Sequence, residues 1–160
     1  MPFHNIIVNI KYHGDSHLAV ELGRWAAKEI MHQGLLEQSD VIVPVPISPK
    51  KRRRRGFNQA QLLAEGMSQE CHLPVRTWLS RANEKETQTH LNRARRVENT
   101  ISAFQACIPQ EERGRRILIV DDVFTTGATT AACAQALLQA DETATINVFT
   151  LSFSLQGNNL

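Results

Sequence analysis

Hydrophobic residues recur along the chain with two different spacings, which predict alternating helices and strands. Between Ser16 and Gly34 the apolar residues stand three or four positions apart, a spacing that indicates an amphipathic helix capped by glycine. The run DVIVPVP, residues 40–46, is short and β-branched and ends in two prolines, so we expect a buried strand that leads into a constrained loop. Asn58 is a good N-cap for a second helix over residues 59–71, although a ligand-binding role for its side chain is equally open.

The second half of the chain continues the alternation. It is predicted to form strands over residues 73–80, 116–124 and 144–153 and a small-residue helix over residues 128–140. Residues 81–100 are polar with almost no apolar periodicity, and a connection of that length is usually functional or disordered. Alternating strands and helices predict an α/β fold, a single domain over residues 1–160 with a mainly parallel central sheet flanked by helices.

Composition excludes several classes of protein. Of the 160 residues, 42% are hydrophobic and 21% charged, as in ordinary globular domains, and no apolar run has the length of a membrane span. The N-terminus has no basic leader and no small-residue cleavage site, so we expect a cytoplasmic protein. Cys71, Cys107 and Cys133 are isolated, with no CxxC pair for zinc, and we expect buried thiols. Trp25 and Trp78 are expected in the core.

The positive charge is concentrated in one place. Lys50 to Arg55 are six consecutive basic residues, whereas the whole chain has a net charge of only +2, so the remainder is mildly acidic. A local concentration of charge favours a local anionic partner. A solvated loop, a contact with nucleic acid and an approach for a phosphorylated small molecule are all consistent with the first five of these residues. They are Lys50, Lys51, Arg52, Arg53 and Arg54.

The candidate chemistry lies between residues 117 and 137. An apolar run ends in Asp121 and Asp122, and the loop TTGATT follows before the next helix. Ligands of open α/β sheets bind beyond the carboxyl ends of the strands. The loop supplies hydroxyls, backbone N–H groups and a helix N-terminus, which suit a phosphate monoester, and Gly127 lets the backbone approach the ligand. Neither a P-loop nor a dinucleotide fingerprint is present. Paired carboxylates before a phosphate cradle instead fit vicinal hydroxyls close to a phosphate, as in ribose 5-phosphate.

The segment VDDVFTTGATT resembles the phosphoribosyl pyrophosphate (PRPP) signature of type I phosphoribosyltransferases. Further blocks, in the family's order, make the chain similar to the ComF/GntX-like branch. They are KYHGD from Lys11, VPVP at 43–46, RGFNQ at 55–59, Gln88 with Leu91, Arg96 with Asn99, and Ala103 with Phe104. The resemblance implies a type I phosphoribosyltransferase-like fold with a mobile hood over the carboxyl edge of the sheet.

The resemblance also implies a site for Mg-PRPP. Asp121 and Asp122 would hold the ribose hydroxyls, and the 5-phosphate would lie on Thr125, Thr126, Gly127, Ala128 and Thr129. Pro44, Val45 and Pro46 would lie at the pyrophosphate. The departing pyrophosphate gains negative charge and therefore needs cations. Candidates for this role are Arg55, Arg81, Arg96 and Lys11. The hood would contain Arg81, Gln88 and Asn99. We expect magnesium to enter with PRPP, without direct protein ligands.

For such proteins the implied reaction is transfer of a phosphoribosyl group from Mg-PRPP to a nitrogenous acceptor with release of pyrophosphate. ComF-like members are associated with DNA uptake and competence. A non-catalytic DNA-handling factor and a PRPP sensor, each retaining the fold, are the alternatives. Candidate partners are PRPP, the acceptor, nucleic acid at the basic run and a second copy of the chain; no membrane partner is expected. The family's four-cysteine zinc module does not precede Lys11 here, so no zinc is expected.

Overall fold

The computed structural model describes residues 16–34, 36–81 and 103–153. The described helices are α1 (Ser16–His32), α2 (Pro49–Arg55), α3 (Gln59–Cys71) and α4 (Ala128–Ala140). The described strands are β1 (Val41–Pro44), β2 (Leu79–Arg81), β3 (Phe104–Ala106), β4 (Arg116–Phe124) and β5 (Thr145–Phe153). Short 3-10 helices span Leu36–Gln38 and Gln110–Glu112.

A parallel sheet in the order β1-β4-β5 forms the centre of the fold. Strand β4 lies in the middle, with Val41 opposite Ile117 on one side and Arg116 opposite Thr145 on the other. A single parallel bridge between Ile42 and Val75 extends the far side of β1. Strands β2 and β3 form a separate antiparallel pair. The parallel alternation of strands and helices confirms the predicted α/β fold class.

Strands β1 and β4 are buried on both faces, so successive side chains point into two different cores. One core contains Ile117 and Ile119 and is covered by α4 and the β2-β3 pair. The other contains Leu118 and Val120 and is covered by α1 and α3. Because helices cover both faces of the sheet, a ligand can reach it at the ends of the parallel strands.

Helices α1 and α3 pack unusually closely because each has a glycine at the contact. A Cβ added to Gly23 would overlap the carbonyl oxygen of Leu63, and one added to Gly66 would overlap the carbonyl oxygen of Val20. Both glycines are buried. The two helix backbones therefore meet at a distance that no larger residue permits.

Several predicted elements are confirmed, among them α1, β4, α4 and β5. Three predictions were wrong, and one of the alternatives left open for the basic run is excluded. Lys50 to Arg54 belong to a helix, not a loop, and the strand predicted over residues 73–80 is reduced to β2 and the bridge at Val75. Trp78 is buried, but Trp25 is 50% exposed because it lies on the solvent side of α1. Cys133 is buried and Cys71 half-buried, whereas Cys107 is exposed. None of the helices in the described ranges has the length and apolar character needed to cross a membrane.

Candidate functional site

The carboxyl ends of β1 and β4 meet at one edge of the parallel sheet. Pro44 lies opposite Val120, and the backbone N–H of Val45 donates to the Val120 carbonyl over 2.9 Å. Asp121 therefore lies just beyond the level at which β1 ends. An open cleft of about 240 Å³ lies at this edge. Its lining includes Val45, Pro46, Ile47, Lys51, Arg55, Asn58, Gln59, Ala60, Arg81, Asp121, Asp122, Val123, Thr125 and Thr129.

Asp121 and Asp122 form the acidic part of the cleft. Both are half-buried, and the backbone N–H of Asp122 donates to Oδ1 of Asp121 over 2.9 Å, which orients the first carboxylate. Burial and, to a smaller extent, the charge of Asp121 raise the pKa of the Cys133 thiol, the charge of Arg81 lowers it, and the net value is about 12. The buried thiol is therefore protonated and unreactive at neutral pH. Both charged residues lie close enough to Cys133 to act on it electrostatically.

The loop after β4 turns sharply at Gly127, where φ is 76°. This conformation favours glycine. A Cβ on Gly127 would also lie 2.7 Å from Cζ of Phe124, which adds a steric reason for glycine. The hydroxyl of Thr130 donates to the Gly127 carbonyl over 2.9 Å and closes the first turn of α4. The turn thus presents the N-terminus of α4 beside Asp121.

Only part of the predicted phosphate loop lines the cleft. Thr125 and Thr129 do, and Gly127 borders a small adjoining pocket together with them. Thr126 and Ala128 line a separate, largely apolar depression on the other side of the loop. The hydroxyl of Thr126 accepts a long hydrogen bond of 3.4 Å from the backbone N–H of Ala128.

The opposite wall of the cleft is formed by the junction of α2 and α3. Helix α2 begins after the N-cap Ser48 with proline at its first position, and Gly56, where φ is 83°, caps its carboxyl end. Asn58 then caps α3, because its Oδ1 accepts from the backbone N–H of Ala60 over 3.2 Å. The same side chain donates from Nδ2 to the Val45 carbonyl over 3.0 Å. The capping alternative for Asn58 is therefore confirmed, and the residue also fixes the loop after β1.

Helix α2 divides the basic run between the cleft and the surface. Lys51 and Arg55 line the cleft, as their spacing of four residues on a helix allows. Lys50 and residues 52–54 are exposed and do not contribute to its lining. Of the five residues considered as a nucleic-acid or anion contact, Lys51 thus lies at the cleft. Ser48 followed by Pro49 was the signal that could have revealed the helix, since serine caps helices and proline starts them.

Arg81 approaches the cleft from the β2-β3 pair. Its guanidinium carbon lies 5.3 Å from the centre of the Phe104 ring, a cation–π contact that restricts the side chain. Pro44, by contrast, is buried in β1 and lines no part of the cleft. Lys11, Gln88, Arg96 and Asn99 lie outside the described residues, so their predicted roles stay predictions.

Three comparisons relate this geometry to known proteins. No protein-family model matches the chain. The DNA utilization protein YhgH of Shigella flexneri is 34% identical over 161 residues, an alignment that covers 96% of this chain and 68% of that protein. The competence protein ComFC of Bacillus subtilis is 35% identical over 115 residues, which cover 69% of this chain and 43% of the relative. The chain belongs to the ComF-like family.

A solved structure extends the likeness of this ComF-like chain to the fold. Glutamine PRPP amidotransferase from B. subtilis, solved with ADP and GMP, superimposes with a TM-score of 0.59 and 22% sequence identity. The match covers 84% of the ComF-like chain but only 26% of the amidotransferase. At this identity the likeness concerns the fold alone, which is the type I phosphoribosyltransferase fold expected from the sequence.

Proposed function

We propose that this ComF-like protein binds Mg-PRPP in the cleft and transfers its phosphoribosyl group to a nitrogenous acceptor. The observation that carries the proposal is the division of the cleft. Asp121, Asp122 and the threonines of the β4-α4 loop lie on one side, and Lys51 and Arg55 lie on the other. A sugar phosphate with a second anionic group needs both kinds of surface.

The β4-α4 side suits the ribose 5-phosphate part of PRPP. In the proposed complex Asp121 and Asp122 accept hydrogen bonds from the ribose hydroxyls, since ionised carboxylates are acceptors only. The hydroxyls of Thr125 and Thr129 and the N-terminal N–H groups of α4 receive the 5-phosphate. Thr126 and Ala128 would contribute through their backbone, because their side chains border the apolar depression.

The opposite side suits the pyrophosphate. Val45 and Pro46 form a loop fixed by Asn58, and Lys51, Arg55 and Arg81 bring three positive charges into the lining. When the bond from the anomeric carbon to the pyrophosphate oxygen breaks, its electron pair leaves with the pyrophosphate. The cations stabilise that developing charge. The acceptor nitrogen then forms a bond to the anomeric carbon and loses a proton.

In this proposal magnesium enters the cleft together with PRPP. Among the described residues no group of three or more His, Cys, Asp and Glu side chains is arranged to hold a metal ion. Asp121 and Asp122 are hard oxygen donors, and Mg²⁺ commonly combines one or two carboxylates with phosphate oxygens. When bound, the ion would neutralise charge on the pyrophosphate.

A second candidate function is the handling of DNA. Lys50 and residues 52–54 form an exposed basic surface on α2, immediately outside the cleft. The names of the relatives, DNA utilization protein and competence protein, favour such a role. Because different residues of α2 serve the cleft and the surface, one chain can bind PRPP and a polyanion at adjacent sites. A PRPP sensor without turnover would use the same arrangement.

The proposal of catalysis is tested by pyrophosphate release. The protein is incubated with Mg-PRPP and a panel of nitrogenous acceptors, including nucleobases, amines and single-stranded DNA. We expect one acceptor class to stimulate release, and the double variant Asp121→Ala/Asp122→Ala to abolish it. The matched control Glu111→Ala/Glu142→Ala, which removes two carboxylates outside the cleft lining, should retain full activity. Binding of PRPP without release in the presence of any acceptor would reject the transferase and favour the sensor.

A further inference from the structure

Two buried hydrogen-bond donors meet in the wall of the cleft without an acceptor. They are Nε of Arg55 and Nε2 of Gln59, and both side chains line the cleft. Within the described ranges the same condition is met at one other atom, Oγ of Ser39, which precedes the amino end of β1. Buried polar atoms without partners are rare in native proteins and call for an explanation.

The two side chains form one unit. Nη1 of Arg55 donates to Oε1 of Gln59 over 3.2 Å, and Gln59 is only 2% exposed. That bond uses one of the two lone pairs of the glutamine oxygen, and the unit still has more N–H donors than acceptors. Because Gln59 is the first residue of α3, directly after the N-cap Asn58, its backbone is fixed relative to the loop at Val45.

The positive charge of this wall favours an anionic oxygen as the acceptor for the two unpaired donors. Arg55 is cationic, and Lys51 lines the same wall one helical turn earlier. The carboxylates of the cleft belong to β4, on the other side. Guanidinium groups prefer acceptors that can take two parallel hydrogen bonds, such as the oxygens of a phosphate.

We propose that Gln59 is a positioning residue that holds the Arg55 guanidinium, and that the Arg55–Gln59 unit forms a subsite for a diphosphate oxygen. This inference rests on the proposed function, since it assigns the subsite to the pyrophosphate half of the ligand. Neighbouring protein atoms cover the two donors, so the half-exposed Arg55 side chain has to turn when the oxygen binds. The bond to Gln59 limits that turn and sets the orientation of the guanidinium.

The two halves of PRPP allow a selective test. Inorganic pyrophosphate with magnesium probes the Arg55 side, and ribose 5-phosphate probes the Asp121 side; each is titrated by calorimetry. The variant Gln59→Glu keeps the size of the side chain but pairs Arg55 with a carboxylate. Removing a charge-assisted hydrogen bond weakens binding by about tenfold or more, so we expect that reduction for pyrophosphate alone. The control Gln69→Glu, at an exposed position of the same helix, should bind both ligands as the wild type does.

A second variant keeps the proposal testable if Gln59→Glu does not fold. Arg55→Lys keeps the positive charge at the end of α2 but lacks the two-donor fork, and we expect the same selective reduction for pyrophosphate. Equal reductions for both ligands, or undiminished pyrophosphate binding in a folded variant, would overturn the role of the Arg55–Gln59 unit. If the wild type binds PRPP and neither half-ligand is affected, the proposed function survives and this inference falls. If the wild type binds none of the three ligands, both fall.

Discussion

Asn58 connects the start of α3 to the loop after β1, because its Nδ2 donates to the Val45 carbonyl over 3.0 Å. The N–H of Val45 in turn donates to Val120, the residue before Asp121. A chain of two hydrogen bonds thus links the cationic wall of the cleft to the strand that bears the carboxylates. These bonds hold the loop after β1 to both halves of the cleft.

Asn58→Ala should therefore weaken both folding and ligand binding. It removes a helix cap and a partly buried hydrogen bond to the backbone, and each of these typically contributes about 1 kcal/mol to the free energy of unfolding. Asn58→Asp keeps the capping oxygen but cannot donate to Val45, so it should retain more stability and still bind Mg-PRPP more weakly. Urea unfolding and calorimetry measure the two effects. Wild-type stability in Asn58→Ala would contradict the assigned hydrogen bonds.

Gly66→Ala tests the close packing of α1 against α3. Its methyl group would overlap the Val20 carbonyl, and backbone atoms cannot move aside as a flexible side chain can. Overpacking of this kind costs about 1 to 3 kcal/mol, occasionally more. The exposed change Gln69→Ala, on the same helix, should stay within about 0.5 kcal/mol of the wild type in urea unfolding. Equal stability of the two variants would show that the helices lie further apart.

The ion pair between Asp40 and Arg116 predicts a pH dependence of stability. Oδ1 of Asp40 lies 2.6 Å from Nη2 of Arg116, and side-chain and backbone hydrogen bonds from Arg116 lower the pKa of Asp40 from 3.8 to about 2. A carboxylate with a depressed pKa stabilises the fold above its unfolded pKa, and this contribution disappears as the pH falls through the folded value. Between pH 4 and 2 the wild type should therefore lose more stability than Asp40→Asn. Parallel stability curves for the two proteins in acid would refute this.

The outer surface of α2 should bind single-stranded DNA independently of the cleft. Replacing Arg52, Arg53 and Arg54 by glutamine should weaken DNA binding and flatten its salt dependence, by about 0.7 in the logarithmic slope for each phosphate that the variant no longer neutralises. Mg-PRPP affinity should not change, because these side chains do not line the cleft. Neutralising three other cations outside the cleft lining, Lys28, Arg113 and Arg115, is the matched control. Equal DNA affinities for the two triple variants at low salt would dismiss a specific surface on α2.

The contiguous parts of the fold and the site could be predicted from the sequence. The boundaries of β4 and α4 agree with the prediction because a buried apolar strand and a small-residue helix are each recognisable locally. The sequence also placed Asp121, Asp122, Thr125 and Thr129 near one another, since strand, loop and helix follow one another directly, and all four line the cleft.

Features that depend on tertiary structure were harder to predict. Helix α2 consists of one proline and six basic residues, so its sequence has no apolar periodicity from which a helix could be predicted. Lys51 could therefore not be assigned to the cleft. The pairing of Arg55 with Gln59 requires the turn at Gly56 between two helices. Strand β3 has only three residues and can be recognised as a strand only by its pairing with β2. Trp25 fits the apolar period of α1 and yet is half exposed on the surface.

Calorimetric titration of the wild type and of Asp121→Ala/Asp122→Ala with Mg-PRPP tests the central claim most directly. We expect saturable binding of one PRPP for each wild-type chain and no measurable binding to the folded double variant. The reason is that the ribose hydroxyls would have neither of their proposed carboxylate acceptors. Undiminished affinity of the double variant, or no binding of Mg-PRPP to the wild type, would contradict the proposed PRPP site.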